Sequence, residues 1–210
     1  MKKNIFYVLI VLIQFTAFGQ KTIYQSDAFE EMSKDHKMVA ILPFDARLEL
    51  KNKDLSEAKL KELQEKEGYE VQNALETYFL KMHKRKDYRI EFQDIKNTNA
   101  LLAKEGINLM NLDIYTTQDL CKILNVDAII SGDLALNALI SKGVSTDFDF
   151  ISFISGTSDY GRIAIKLSDG DTGKLLWKYE KVITRKSGKN TYDIIEAMMR
   201  KSTRKFPYDK

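Results

Sequence analysis

Met38-Val39-Ala40-Ile41-Leu42 is an unbroken apolar run closed by Pro43. A run of that length without polar alternation fits a strand covered on both faces, and proline stops it because it carries no amide donor. A charged stretch follows. Asp54 with Glu57 three residues on is a helix-start signal of the capping-box type, and Glu57/Lys61 and Glu62/Lys66 at i,i+4 spacing mark a solvated helical face. Beyond Gly68 the pattern sharpens: Val71, Ala74, Leu75, Tyr78, Phe79 and Met82 fall on one stripe of a 3.6-residue helix. With alanine and leucine interleaved, the stripe reads as core packing in preference to a ligand groove.

Tyr88-Arg89-Ile90-Glu91-Phe92 alternates apolar with charged residues, the signature of a half-buried strand. Asn99 to Lys104 predicts a short helix ended by Gly106. Thr116 with Asp119 opens another over Thr117 to Leu124, turning Leu120, Ile123 and Leu124 inward before Asn125. Val126 to Ile130 returns as a strand. Further on, Arg162 to Leu167 and Leu175 to Tyr179 flank Asp169-Gly170-Asp171-Thr172-Gly173, which predicts an antiparallel hairpin. A closing helix from about Thr191 to Arg204 turns Ile194, Ile195, Met198 and Met199 inward, with Trp177 beneath it and Arg200, Lys201, Arg204 and Lys205 opposing its dipole. The fold class is therefore α/β (α+β): a mixed sheet with flanking helices and a C-terminal antiparallel hairpin followed by a helix.

The two ends set the context. Lys2 and Lys3 precede an apolar run from Ile5 to Ile13, and Ala17-Phe18-Gly19 supplies the small residues that a signal peptidase reads, so residues 1–19 are expected to be a cleaved signal peptide. The run is shorter than the ~20 residues that span a bilayer, and no other stretch is apolar enough to form a transmembrane helix. Residues 20–37 lack a clear period and are expected to be a loosely ordered arm, leaving residues 38–207 as one α/β domain. A net charge of +3, which falls once Lys2 and Lys3 leave, gives no electrostatic case for nucleic acid. Cys121 is the only cysteine, so an intrachain disulfide is excluded and stability rests on a hydrophobic core.

Catalytic patterns are scarce. His36 lies in the arm and His83 between lysines, without HExxH or paired-cysteine spacing for a metal. No serine sits in a GxSxG elbow, and a Cys121 nucleophile would need a distant histidine, so Cys121 reads as a buried helix residue. Gly156 to Gly161 ends in Arg162 in place of the Lys-Ser/Thr pair of a phosphate loop. Asp169, Asp171 and Glu180 mimic positions one, three and twelve of a calcium loop, but Lys174 stands where glycine is required. These residues read as a hairpin turn. The cluster Lys81, Lys84, Arg85 and Lys86 reads as a solvated helix end before it reads as a surface for anionic glycan or lipid headgroups. No catalytic, cofactor or metal site is assigned.

One stretch departs from one-sided amphipathicity. Between Gly143 and Gly161, Phe148, Phe150 and Ile154 alternate on one side of an extended chain, with Ile151 and Phe153 on the other. Such a segment either inserts into the core or presents contiguous apolar surface to a partner, and these five residues are the candidate partner-binding set.

Four pieces together resemble a known superfamily: Val39-Ala-Ile-Leu-Pro-Phe44, Leu124-Asn-Val-Asp-Ala-Ile-Ile-Ser-Gly132, Leu167-Ser-Asp-Gly-Asp-Thr-Gly-Lys-Leu-Leu-Trp177, and Lys205-Phe-Pro207 after an amphipathic helix. Their order over residues 38–207 is similar to that of the superfamily uniting the curli secretion channel subunit, the amino-terminal domain of the Tol-system propeller protein and the lipoprotein activators of penicillin-binding proteins. The resemblance implies a sheet with helices against it, no active site, and work done by protein contacts in the periplasm or at the outer membrane. Ala17-Phe18-Gly19-Gln20 departs from it by offering no lipobox cysteine, so lipidation at the N-terminus is not expected. The leading expectation is a non-enzymatic envelope adaptor or assembly module with an envelope protein as partner. A subunit of a curli-type pore and an unrecognised envelope enzyme are the alternatives, and a homo-oligomer stays open.

Overall fold

The structure, a computed structural model, describes residues 21–49, 56–136, 159–184, 190–202 and 206–208. The expected signal peptide and the candidate residues Phe148, Phe150, Ile151, Phe153 and Ile154 lie outside the described residues. In chain order the elements are β1 (Lys21–Gln25), α1 (Phe29–Ser33), β2 (Met38–Ile41), β3 (Asp45–Leu48), α2 (Glu57–Lys86), β4 (Glu91–Phe92), α3 (Ile95–Lys104), a 3-10 turn (Leu112–Ile114), α4 (Thr117–Leu124), β5 (Ala128–Leu136), β6 (Asp159–Asp169), β7 (Leu175–Thr184) and α5 (Thr191–Ser202).

The strands form one mixed sheet in the order β1-β7-β6-β5-β2-β4, with β3 also pairing β5. β1, β7, β6 and β5 are antiparallel neighbours, whereas β2 and β3 both run parallel to β5, one after the other along its length. The continuous apolar run of β2 is explained by this central place: Val39 and Ile41 face one core, Ala40 and Leu42 the other. The larger core lies between the sheet and the helices α2 and α5, and holds Leu75, Tyr78, Phe79, Ile130, Ile165, Trp177 and Ile194. The smaller one lies beneath α3 and α4, with Leu102, Leu120, Cys121, Leu124 and Ile129.

Helix α2 runs 30 residues without interruption, about 45 Å. Its cap is Ser56, whose hydroxyl accepts the Lys59 N–H, so the start signal expected at Asp54 falls two residues early. Val71, Ala74, Leu75, Tyr78 and Phe79 are buried as the stripe predicts, and Met82 is half-buried. Thr116 and Asp119 form the expected capping box of α4, and Asn125 ends that helix in a left-handed conformation. The helix expected at Asn99 begins earlier, because Asp94 accepts the N–H groups of Lys96 and Asn97. Trp177 is buried at the edge of the Phe206 ring, whose centroid lies 5.7 Å away.

Two expectations need correction. The strand read over Tyr88–Phe92 is only Glu91–Phe92, since β4 is an edge strand that pairs just Met38 and Val39 of β2, while Tyr88 and Ile90 are buried as core side chains ahead of it. The arm is not loosely ordered over residues 21–37. Lys21–Gln25 pairs with β7 from Lys181 to Trp177, and Phe29 on α1 is buried. Strand pairing satisfies the backbone of a segment too short and too polar to show a period of its own.

Candidate functional site

At Pro43 the parallel ladder breaks and restarts. The Leu42 N–H still donates to Ile130, but Pro43 has none to give, and the Phe44 N–H turns away to the Gly68 carbonyl of α2. Pairing resumes at Asp45 opposite Asp133. The break leaves an open groove of about 570 Å³ where four parts of the chain converge. Ser131, Asp133 and Lys166 provide its floor from the outer face of β5 and β6. Asp45 to Arg47 and the side chains Lys61, Gln64 and Glu65 of α2 line one part, and Leu109, Met110, Leu112, Asp113 and Tyr115 line another, with Thr117 and Leu120 of α4.

Two ion pairs lie in the groove: Lys166 meets Asp133 at 2.6 Å and Arg47 meets Asp45 at 3.3 Å. The outer sheet face continues in the same style, with Arg162–Glu180 at 2.9 Å and Lys178–Glu180 at 3.0 Å. Lys178 and then Arg162 hold the Glu180 carboxyl below its ordinary value, against a smaller opposing effect of burial. Such a face is polar and solvated.

The rim is different. Residues 106–115 form a braced loop: Asn111 accepts the Asn108 N–H at 2.7 Å and donates to the Gly106 carbonyl at 3.0 Å, and Asn108 accepts the Met110 N–H at 2.9 Å. Gly106 supplies the left-handed turn at φ 69° and Ile107 anchors the loop in the smaller core. With its polar groups used locally, the loop holds Met110 57% exposed and Ile114 75% exposed. Apolar side chains presented outward on a fixed loop fit a contact with another macromolecule. No hydrophobic period in the sequence marks this loop. Its signal is two turn-forming asparagines enclosing Leu109-Met110.

A second constellation is buried. His36 Nε2 lies 2.9 Å from Asp169 Oδ1, and His36 Nδ1 lies 2.5 Å from the Tyr208 hydroxyl. The other carboxylate oxygen of Asp169 accepts both the N–H and the hydroxyl of Thr172, closing the hairpin turn in which Gly173 has φ 70°. Burial pushes the Asp169 carboxyl up, but the Thr172 and His36 hydrogen bonds outweigh it and hold it below the ordinary carboxylate value. The sequence places Asp169 in a hairpin turn, while its partners His36 and Tyr208 lie in segments that show no periodicity. Cys121 is buried beside Gly170, and burial together with Asp169, Asp127 and Asp171 pushes its thiol up to about 12. Among the described residues no group of three His, Cys, Asp or Glu side chains could hold a metal ion, and no helix is long and apolar enough to cross a membrane. The basic cluster on α2 is partly engaged: Lys81 meets Glu196 of α5 at 2.8 Å and His83 stands 3.5 Å from Glu91.

No family model matches the chain, and comparison with curated proteins gives no match. Among solved structures the chain is similar to the LpoB C-terminal domain from Salmonella enterica, with 10% identity, 75% of this chain and 93% of that one covered, and a TM-score of 0.40. It is also similar to lipoprotein GNA1162 from Neisseria meningitidis, with 10% identity, 80% and 98% covered, and a TM-score of 0.45. PelC from Paraburkholderia phytofirmans, solved as a dodecamer, shows 9% identity, 86% and 98% coverage, and a TM-score of 0.33.

Proposed function

We propose that this protein is an adaptor or assembly module of the bacterial envelope, which acts by binding another envelope protein across the groove at the β2–β3 break. The observation that carries this reading is the rim: Met110 and Ile114 stand exposed on a loop fixed by its own asparagines, beside a polar groove that holds the Lys166–Asp133 and Arg47–Asp45 pairs. That combination offers apolar anchors with a polar surround, which is how protein interfaces are composed. The charged, apolar and small-residue pattern of residues 1–19 supports placing the protein outside the cytoplasm. The stretch with Phe148, Phe150, Ile151, Phe153 and Ile154 joins β5 to β6, the strands that floor the groove, and is proposed as part of the same contact.

Photo-crosslinking in intact cells tests the reading. A crosslinking residue at Met110 or Ile114 is expected to give a discrete adduct with an envelope protein, whereas the same residue at Leu80, exposed on the distant half of α2, gives none. Adducts at none of the three positions, or equally at all three, would overturn it.

A further inference from the structure

Cysteine and methionine sulfur both take oxygen from oxidants, and the fold treats the two kinds oppositely. Cys121 of α4 is buried, and burial together with the nearby Asp169, Asp127 and Asp171 carboxylates pushes its thiol up to about 12, so the reactive thiolate is scarce at neutral pH. Met32 and Met82 pack against the larger core, and Met38 is half-buried in β2. Met110, at 57% exposure, is the one exposed methionine among the described side chains.

The loop holds that sulfur in a fixed setting. Ile107 anchors it in the smaller core, and Leu109 lies against α2, its Cδ1 3.3 Å from where a Cβ on Gly68 would stand. The N–H groups of Asn108, Met110, Asn111, Ile114 and Tyr115 all donate to acceptors inside the loop. An acceptor newly formed on Met110 therefore finds none of these amides free and is left to water. Because the side chain stands outside both cores, that change leaves the packing in place.

We infer that Met110 is a reversible oxidation switch on the docking rim: as a thioether it anchors the partner, and as a sulfoxide it holds the partner off. The inference rests on the docking reading proposed above. The oxidant is a peroxide. A sulfur lone pair attacks one peroxide oxygen, the O–O bond breaks and an S–O bond forms; the departing hydroxide takes the remaining proton of the transferred oxygen and leaves as water. Sulfur is oxidised by two electrons and the peroxide is reduced by two. In the reverse step two thiols are oxidised to a disulfide, and the sulfoxide oxygen leaves as water. Docking removes water from an interface core, so a sulfoxide oxygen without a donor there opposes the contact. Ile114, 75% exposed on the same loop, carries no sulfur and is the same in both states.

The protein purified with a photo-crosslinking residue at Ile114, with and without hydrogen peroxide treatment, is added to envelope membranes to test the switch. Peptide mapping by mass spectrometry is expected to show Met110 converted about tenfold faster than Met32, Met38 and Met82. The Ile114 adduct is expected to fall about fivefold or more once Met110 is the sulfoxide. It should return when methionine sulfoxide reductases for both epimers, supplied with a dithiol, remove the oxygen. Met110→Leu has no sulfur, so whatever adduct it gives should be the same before and after peroxide. Equal conversion of the half-buried methionines, an undiminished adduct from fully converted protein, a loss that reduction does not reverse, or an equal loss in M110L overturns the switch. So does a far-UV circular dichroism spectrum that collapses on oxidation. An adduct missing before any peroxide is the failure of the docking reading itself, and the switch falls with it. If M110L gives no adduct at all, recovery of the wild type on reduction decides alone.

Discussion

The ring of Phe44 occupies the space that a Cβ on Gly132 would need, with its Cδ1 2.9 Å from that position. The Ala164 carbonyl of the neighbouring strand closes the same space from the other side. Gly132→Ala therefore meets backbone on one side and a fully buried ring on the other, and should destabilise the protein by roughly 1–3 kcal/mol. Trimming Phe44 to Leu in the same chain should recover part of that loss, as unequal urea midpoints of the single and double variants would show. Strict additivity would mean that the two residues are not coupled.

Leu75 is fully buried on α2 against the sheet. Leu75→Ala should cost ~2–5 kcal/mol, by lost transfer energy and an unfilled cavity. Equilibrium denaturation measures it directly, and a change below about 1 kcal/mol would contradict the packing of the stripe.

What could be read from sequence divides along physical lines. The stripe from Val71 to Phe79, the Thr116/Asp119 capping box and the Asp169–Gly173 turn are local codes, in which a few neighbouring residues determine their own backbone. The groove depends on Pro43 breaking β2 and on β3 taking up the same partner strand. The residues at Pro43 predict a stop, but not the resumption, because the register is set by β5 far along the chain. His36 and Tyr208 lie 172 positions apart, and no local pattern marks either for the other. The order of residues 21–25 is likewise conferred by β7.

For the Phe148–Ile154 stretch the two open readings make opposite predictions. As a partner contact, Phe150→Ser and Phe153→Ser should each shift stability by ~0.5 kcal/mol or less. Crosslinking through Met110 should then weaken, since aromatic anchors dominate interfaces. As core, each should cost ~3–5 kcal/mol. Thermal melts of both variants separate the readings, and a strongly lowered melting temperature in both would remove this stretch from the proposed contact.

Cys121 should be slow to react. Cys121 is 4% exposed, and burial together with the nearby Asp169, Asp127 and Asp171 carboxylates pushes its thiol up to about 12. Since the thiolate is the nucleophile, labelling by a thiol reagent at neutral pH should wait on opening of the structure and accelerate sharply in denaturant. Stoichiometric labelling of the native protein within seconds would show that the α4–hairpin contact is open.

Asp169 makes stability depend on acid in a direction that can be worked out. Its folded-state carboxyl is held below the ordinary 3.8 by the Thr172 and His36 hydrogen bonds, which outweigh burial. A group depressed in this way contributes stability that is fully present above the unfolded value and lost as pH falls through the folded one. Asp169→Asn keeps the size of the side chain but not its charge, so at pH 7 it should be less stable by about 1.5–3 kcal/mol, the scale of one hydrogen bond to a charged group. Because asparagine does not titrate, the gap between the two proteins should close as the pH drops below the ordinary carboxylate value, while the acid sensitivity of all other carboxylates cancels in the difference. Urea denaturation of both proteins at neutral pH and again near pH 3 measures it. A gap of the same size at both would mean that the Asp169 charge adds nothing, and that the turn and the imidazole are held by shape alone.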